Sequence, residues 1–297
     1  MTDSSVTYTT VVIPVFNGLP QLADCLTSLA WSPELGVSVV VVDAGSTDGS
    51  LTAVADLAPS AQVVHADSSM WWAASVDIGC RAAIERGAQL LCLLNHDCTL
   101  SRASLLELVS CHEEHDDMIV CSHVVDQSDG RTWFAGGLRA PSGLLRIRGW
   151  GASPGAVFPP GRVRWCGGMG VMFSRQVLES LGGFDHEALP HYYADADFCL
   201  RAARRGIATW FCPSALVRVD MTSSGFNVPR EDARVADVVS ALLSRRSTVN
   251  LRDSVVFYGR HSGWRAPLAL AHLYAVWSGM AVVRLFRRWR GRCRPSR

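Results

Sequence analysis

The stretch VSVVVVDAGSTDGS, residues 37–50, decides the fold. Its first part is β-branched and almost unbroken, which suits a parallel strand covered on both faces rather than one with a wet side. The run stops at Asp43. Glycines and short polar residues then allow a tight turn, in which Ser46, Thr47 or Asp48 could cap a following helix. Two other runs share this pattern. TVVIPV (10–15) gives way to Asn17, and the apolar start of LCLLNHDCTL (91–100) stops at Asn95, His96 and Asp97. In an open parallel sheet, ligands bind beyond the carboxyl ends of the strands, so these three ends would face one crevice. Taken singly, each could be a helix cap or an Asx-turn.

Outward from this stretch, strands and helices alternate. Further strands are expected at 62–66, 90–95 and 118–125. Leu22, Leu26 and Leu29 are spaced for one helix face, and helices are expected over 73–86 and 102–111. The predicted class is α/β with a mainly parallel sheet. Residues 129–165 are rich in Gly, Pro and Arg and predict loops and short antiparallel strands. Helices resume over about 175–181 and 196–205, and Val235, Val238, Val239 and Leu242 mark a stripe within 231–244.

The chain has 297 residues, 48% hydrophobic, with 28 Lys plus Arg against 27 Asp plus Glu. A net charge of +1 does not suggest a general polyanion binder, and no nucleic-acid partner is expected. The seven arginines and no acids of residues 284–297 are an exception. They follow APLALAHLYAVWSGMAVV (266–283), which has no charge apart from the titratable His272. This segment is short for a span, and Pro267 interrupts it; an interfacial helix with arginines on anionic headgroups, or a buried helix, reads equally well. Ten cysteines, scattered and without a CxxC pair, read as reduced and buried, which fits the cytosol. The N-terminal MTDSSVTYTT has no secretory pattern.

Several residues could carry chemistry. VVDAGSTDGS is neither GxGxxG nor a lysine-bearing phosphate loop, which disfavours a dinucleotide dehydrogenase or a P-loop kinase. A carboxylate at Asp43 can still accept a base N–H or a ribose hydroxyl, or only order its turn. Asp97 is a hard oxygen ligand, and a Mg2+ or Mn2+ ion bridging a diphosphate needs only one or two carboxylates. In HYYADADFCLRAARRG (191–206), Asp195 and Asp197 stand at a helix entrance, where one could cap and the other act as a general base. In WCGGMGVMFSR (165–175), Gly167, Gly168 and Gly170 permit close backbone approach or simply packing. Trp71-Trp72 could line a sugar pocket or belong to the core.

In this order, VVIPVFNGLPQLADCLTSL, VVVDAGSTDGS, WWAASVDIGCRAAIERGAQLLCLLNHDCTL and the segment from WCGG to AARRG resemble inverting family-2 glycosyltransferases of the GT-A fold. The nearest resemblance is to the bacterial rhamnosyl- and galactofuranosyltransferase branch, and it covers about residues 10–225. It implies a catalytic domain over 1–228, with a nucleotide half at about 8–126 and an acceptor half at about 127–228, and a helical C-terminal extension over 229–297. It implies that Asp43 binds the nucleotide base with help from Pro14 and Asn17. Asp97 would bind the metal and Asn95 the donor, Asp195 would be the general base, and Gly167 and Gly168 would lie near sugar and acceptor. Arg201 would stand behind the base. The implied donor is a nucleoside-diphosphate sugar such as dTDP-rhamnose, and the acceptor a glycan or polyprenyl-diphosphate-linked saccharide. The implied location is the inner face of the plasma membrane.

The chain departs from the family pattern at Ala44, at Ala194 and at Arg218, which falls where a metal-contacting His is usual. Arg218 could neutralise diphosphate directly, or His96 or Asp220 could join the metal; His191 is a further pocket candidate. A sugar nucleotidyltransferase is disfavoured because PVFNGLPQL lacks a basic activating loop. A lapsed sugar-nucleotide-binding scaffold is the other reading.

Overall fold

The computed structural model describes residues 8–115, 118–221 and 240–292. The chain divides into two units, the first made of Met1–Leu138, Ile147–Pro190 and Ala194–Ser224. The second holds Arg139–Arg146, His191–Tyr193 and Gly225–Arg297. The expected boundary at 228–229 and the stripe positions Val235, Val238 and Val239 lie outside the described residues.

The first unit is built on one curled, mixed sheet. Its nucleotide-side strands are β1 (Thr9–Val15), β2 (Ser38–Asp43), β3 (Gln62–His65) and β4 (Leu90–Leu93), all parallel in the order β3-β2-β1-β4. Every residue of β1 and β4 is buried, which explains the apolar run from Val11 to Val15 and the apolar sequence of β4. Pro14 is tolerated in this central strand because the pairing with β4 ends at Val12 opposite Leu93. Its missing N–H therefore costs no ladder bond on that side.

Beyond β4 the sheet continues through β11 (Val171–Ser174), β6 (Ile119–Asp126), β12 (Thr209–Val219) and β10 (Gly161–Val163). Strand β11 is antiparallel to both neighbours, whereas β6 and β12 are parallel to each other. Short β5 (Cys98–Leu100) pairs with the end of β12, and β7 (Thr132–Phe134) pairs with β6. Strands β8 (Gly137–Arg139) and β9 (Leu145–Ile147) form a separate two-stranded sheet. The Gly- and Pro-rich region thus forms short strands, as its composition predicts.

Helices α1 (Leu19–Ser28), α2 (Ser50–Leu57), α3 (Trp72–Glu85) and α4 (Arg102–Glu114) follow β1, β2, β3 and β5. Helix α5 (Arg175–Leu181) has Ser174 as N-cap and ends on Gly182 in the left-handed conformation. Helix α6 (Ala194–Arg204) starts two residues earlier than its periodicity suggests, so Asp195 lies inside the first turn rather than before it.

The loop from Gly182 to Phe184 is tied down twice. Asp77 of α3 accepts the Phe184 backbone N–H at 2.9 Å and pairs with Arg81. Arg201 of α6 pairs with fully buried Asp197 at 2.7 Å and donates to the carbonyls of Leu181 and Gly183. All nine described cysteines are free and buried, and the sulfurs of Cys166 and Cys199 stand 3.2 Å apart.

The second unit contains α7 (Leu251–Ser262) and α8 (Ala266–Arg292). Tyr193 stacks on Phe257 at 4.7 Å and donates its hydroxyl to the Thr248 carbonyl. Ala269, Trp277 and Ala281 of α8 are buried, while Leu268, Val276, Met280, Val282 and Val283 are exposed. The stretch Leu251–Val283 is long and apolar enough to cross a membrane by length and composition alone.

The anchoring of the 182–184 loop has a testable cost. Asp77→Ala leaves the Phe184 N–H buried without its acceptor and should cost about 1–3 kcal/mol of unfolding free energy. Arg81→Ala should cost less than about 1 kcal/mol, because that guanidinium is largely exposed. Urea denaturation of the two variants separates these values, and equal losses would place the stability in the ion pair instead.

Candidate active site

Three parallel strands end side by side, and their ends carry the polar residues singled out above. After β1, Asn17 adopts a left-handed backbone with φ of 50°. Its side-chain oxygen accepts the Thr47 backbone N–H at 2.8 Å, and its own N–H donates to Ser46 Oγ at 3.0 Å. The Leu19 N–H adds a bond to Asp48 at 2.9 Å. The turns after β1 and β2 are therefore stitched together by the short polar residues of NGLP and GSTD. Neither turn predicts this alone, because the partners lie about thirty residues apart.

Asp43 is 2% exposed, and its carboxylate accepts the N–H groups of Gly45 and Ser46 at 3.2 Å. It orders the turn, and a carboxylate has lone pairs to spare for a further donor. Ala44, where the family pattern has Asn, donates its N–H to the Val15 carbonyl.

After β4, Asn95 and Asp97 are both partly exposed. The indole N–H of Trp72 donates to Asn95 Oδ1 at 2.8 Å. The His96 ring occupies the space where any side chain on residue 18 would begin, 2.3 Å from the position of a Cβ. A side chain at residue 18 would therefore force the His96 ring to move, whereas the Gly18 backbone with φ of -127° is one other residues adopt. Asp97 lies against Asp220, whose N–H donates to the Asp97 carbonyl at 2.9 Å. Burial pushes the Asp97 carboxyl upward and the nearby Asp220 charge adds to this, while His96 and the Cys98 thiol oppose it. Gln21 holds Asp220 at 3.2 Å.

Arg218 stands two residues before Asp220 on β12, exposed and opposite Thr99. The fold brings Asp220 to Asp97 from the end of β12, and His96 also acts on the Asp97 carboxyl. Among the described residues no group of three or more His, Cys, Asp and Glu is arranged to hold a metal. A hard cation at Asp97 and Asp220 would have to complete its shell with phosphate oxygens and water.

Asp195 lies in the first turn of α6. Burial pushes its carboxyl up from the ordinary 3.8 to about 6, although N–H groups of Ala196, Asp195 and Gly168 pull the other way. Gly167 lies alongside, 3.5 Å from Oδ2 to where its Cβ would be. Gly168 has no room for a side chain, because Trp72 would lie 2.2 Å away. Trp72 also meets Phe184 edge-on at 5.8 Å. Asp197 pairs with Arg201. His191, in the second unit, is driven down to about 4 by burial and by Arg246, so it is neutral at pH 7.

The raised Asp195 carboxyl has a stability signature. Folding holds its proton more tightly than the unfolded chain does, so wild-type stability falls as pH rises from about 4 through about 6. Asp195→Asn should melt higher than wild type at pH 7.5, with the difference vanishing near pH 4. A constant difference across that range would show that the carboxyl is not held neutral by burial.

Residues 10–182, more than half the chain, match the sequence profile of glycosyl transferase family 2. The structure also superposes on solved glycosyltransferases. GalNAc-T7 with UDP, GalNAc and Mn2+ aligns with a TM-score of 0.58 at 17% identity, over 71% of this chain and 43% of that one. The mannosyltransferase PcManGT from Pyrobaculum calidifontis, in complex with GDP-Man and Mn2+, gives 0.53 at 18% identity, over 95% and 82%. TarS 1–349 from S. aureus gives 0.51 at 15% identity, over 84% and 69%. The chain thus spans less than half the length of GalNAc-T7, and at these identities the likeness carries the fold. No curated protein matches the chain in sequence. With its parallel strand ends, paired acidic site and profile match, the chain belongs to glycosyl transferase family 2 and has the GT-A fold.

Proposed function

We propose that this protein transfers a hexose or deoxyhexose from a nucleoside-diphosphate sugar to a hydroxyl of a glycan or lipid-linked saccharide, with inversion at the anomeric carbon. The observation that carries the reading is Asp195, a carboxylate raised toward neutrality and held beside Gly167 and Gly168. A group titrating near 6 is ionised at pH 7 and basic enough to take a proton as a bond forms.

The acceptor hydroxyl oxygen attacks the anomeric carbon while its proton passes to Asp195. The bond from that carbon to the diphosphate oxygen breaks on the opposite face, and the diphosphate takes the electron pair. Asp43, Asn17 and the Pro14 backbone hold the nucleoside end, and Asn95 the donor beyond it. A Mg2+ or Mn2+ ion held by Asp97, with Asp220 beside it, would neutralise charge developing on the leaving group. Arg218, on the same strand, is a second source of positive charge.

The resemblance to the rhamnosyl- and galactofuranosyltransferase branch supports dTDP-rhamnose among the donors to try first. The exposed apolar positions of α8, followed by seven arginines, support a peripheral site on an anionic inner membrane surface facing the cytoplasm. Such a site would suit a polyprenyl-diphosphate-linked acceptor.

Acceptor-dependent release of nucleoside diphosphate tests the reaction. Asp195→Asn should lower it at least about a hundredfold, in line with the usual contribution of a general base, while nucleotide binding is retained. For the wild type, kcat/KM should fall tenfold per pH unit below about 6 and be flat above it, because only the ionised form acts. Asp97→Ala should abolish any stimulation by Mn2+, read as the metal concentration needed for half-maximal rate. Near-normal turnover in Asp195→Asn would remove Asp195 from the mechanism.

A further inference from the structure

The bond between Trp72 and Asn95 fixes which way the Asn95 amide faces. An indole N–H can only donate, so the Asn95 atom 2.8 Å from it must be the oxygen. The choice between amide oxygen and nitrogen, often arbitrary for asparagine, is here decided by chemistry. The amide NH2 is then turned the other way. It makes no hydrogen bond among the described residues, and Asn95 is partly exposed at the carboxyl end of β4, two residues from Asp97.

Trp72 is itself held. Its ring fills the space that a side chain on Gly168 would need, and it packs edge-on against Phe184. Phe184 in turn stacks on Phe198 at 4.4 Å, and its backbone is fixed by Asp77. The Ala73 N–H, next in the chain, donates to the Pro190 carbonyl at 3.0 Å. Rotating the indole away from Asn95 would break its packing on Gly168 and Phe184.

We propose that Trp72 is a positioning residue that locks Asn95 as a hydrogen-bond donor to a diphosphate oxygen of the sugar nucleotide, and that Asn95 is not a metal ligand. An asparagine can ligate a metal only through its oxygen, and Trp72 takes one of the two lone pairs of the Asn95 oxygen and turns that oxygen toward itself, leaving the NH2 as the group on offer. An NH2 suits an anionic oxygen, and it adds no third negative charge beside Asp97 and Asp220. Asn95 is thus the polar partner of the phosphate, and Asp97 the partner of the cation. The inference rests on the nucleotide-site reading given above, and it deepens that reading by assigning opposite roles to two residues of one short loop.

The test is calorimetric titration of wild type, Asn95→Ala, Asn95→Asp, Trp72→Phe and the Trp72→Phe/Asn95→Ala double variant. The ligand is whichever of UDP, GDP and dTDP binds wild type most tightly, with and without Mn2+. Losing a hydrogen bond to a charged group should make Asn95→Ala bind about tenfold more weakly or worse. Asn95→Asp should be weaker still, with or without Mn2+. Trp72→Phe should weaken binding severalfold in the wild-type background and less than twofold on top of Asn95→Ala, because it acts through Asn95.

In parallel, the Trp72 indole N–H resonance should keep its hydrogen-bonded shift in Asn95→Asp and lose it in Asn95→Ala, with no nucleotide present. If Asn95→Asp bound as tightly as wild type or tighter in Mn2+, Asn95 would be on the metal side and the proposal overturned. Full additivity of the double variant would reduce Trp72 to a packing role and overturn it as well. If wild type bound no nucleoside diphosphate, the proposed function itself would fall and this inference with it, whereas in the first two cases wild-type binding is intact.

Discussion

Burial of both faces of β1 and β4 is the constraint from which the site follows. A strand with no wet face cannot carry a polar side chain along its length without an internal partner, since each such group costs kilocalories to bury alone. Polar chemistry is therefore pushed to the strand ends. Parallel pairing of β1, β2 and β4 then sets those ends next to one another. Asn17, Asp43 and Asp97 come together because the sheet leaves them nowhere else to be. The turns that carry them are rigid for the same reason: Asn17, Ser46, Thr47 and Asp48 use their side chains to satisfy each other's backbone.

Those elements that depend on local pattern could be read from the sequence. The apolar runs give β1 to β4 and β6 to within a few residues, and the leucine spacing gives α1. YADAD marks Asp195 only as one of two acids at a helix entrance, and the start of that helix is not legible because Tyr193, the residue before it, is not a short polar capping residue. What could not be read depends on long-range contacts. The pairing of Arg201 with Asp197 looks like an ordinary i,i+4 pair. Only the fold shows the same guanidinium holding the carbonyls of Leu181 and Gly183. Likewise β12 carries a register shift between Cys212 and Leu216, and the two faces of its last residues are hard to assign from alternation alone. Sequence alone leaves open whether Arg218 neutralises the diphosphate or whether His96 or Asp220 joins the metal; the fold sets Asp220 against Asp97. The packing of Gly18 against the His96 ring is likewise invisible, because the two lie far apart along the chain.

The electrostatics of the site have one direction. Asp97 and Asp195 are both pushed toward their neutral forms by burial. The consequences differ because the neighbours differ. Asp195 has backbone N–H groups around it and no second carboxylate among the causes of its shift, so it stays a proton acceptor tuned close to neutrality. Asp97 has Asp220 beside it, whose charge pushes the Asp97 carboxyl further up. Desolvation thus acts on both carboxylates, and only at Asp97 does a second carboxylate add to it.

The nine buried thiols of the described residues have a practical consequence. Three of them, Cys25, Cys92 and Cys98, lie in or against β4 and β5, and Cys166 and Cys199 flank Gly167 and Asp195 along the chain. A sulfur with no access to solvent can be alkylated only when its surroundings open. The rate at which each thiol takes up a maleimide or iodoacetamide label would therefore report breathing of the strand or helix around it. The protein carries its own set of opening sensors, distributed across the sheet, with no engineered residue required.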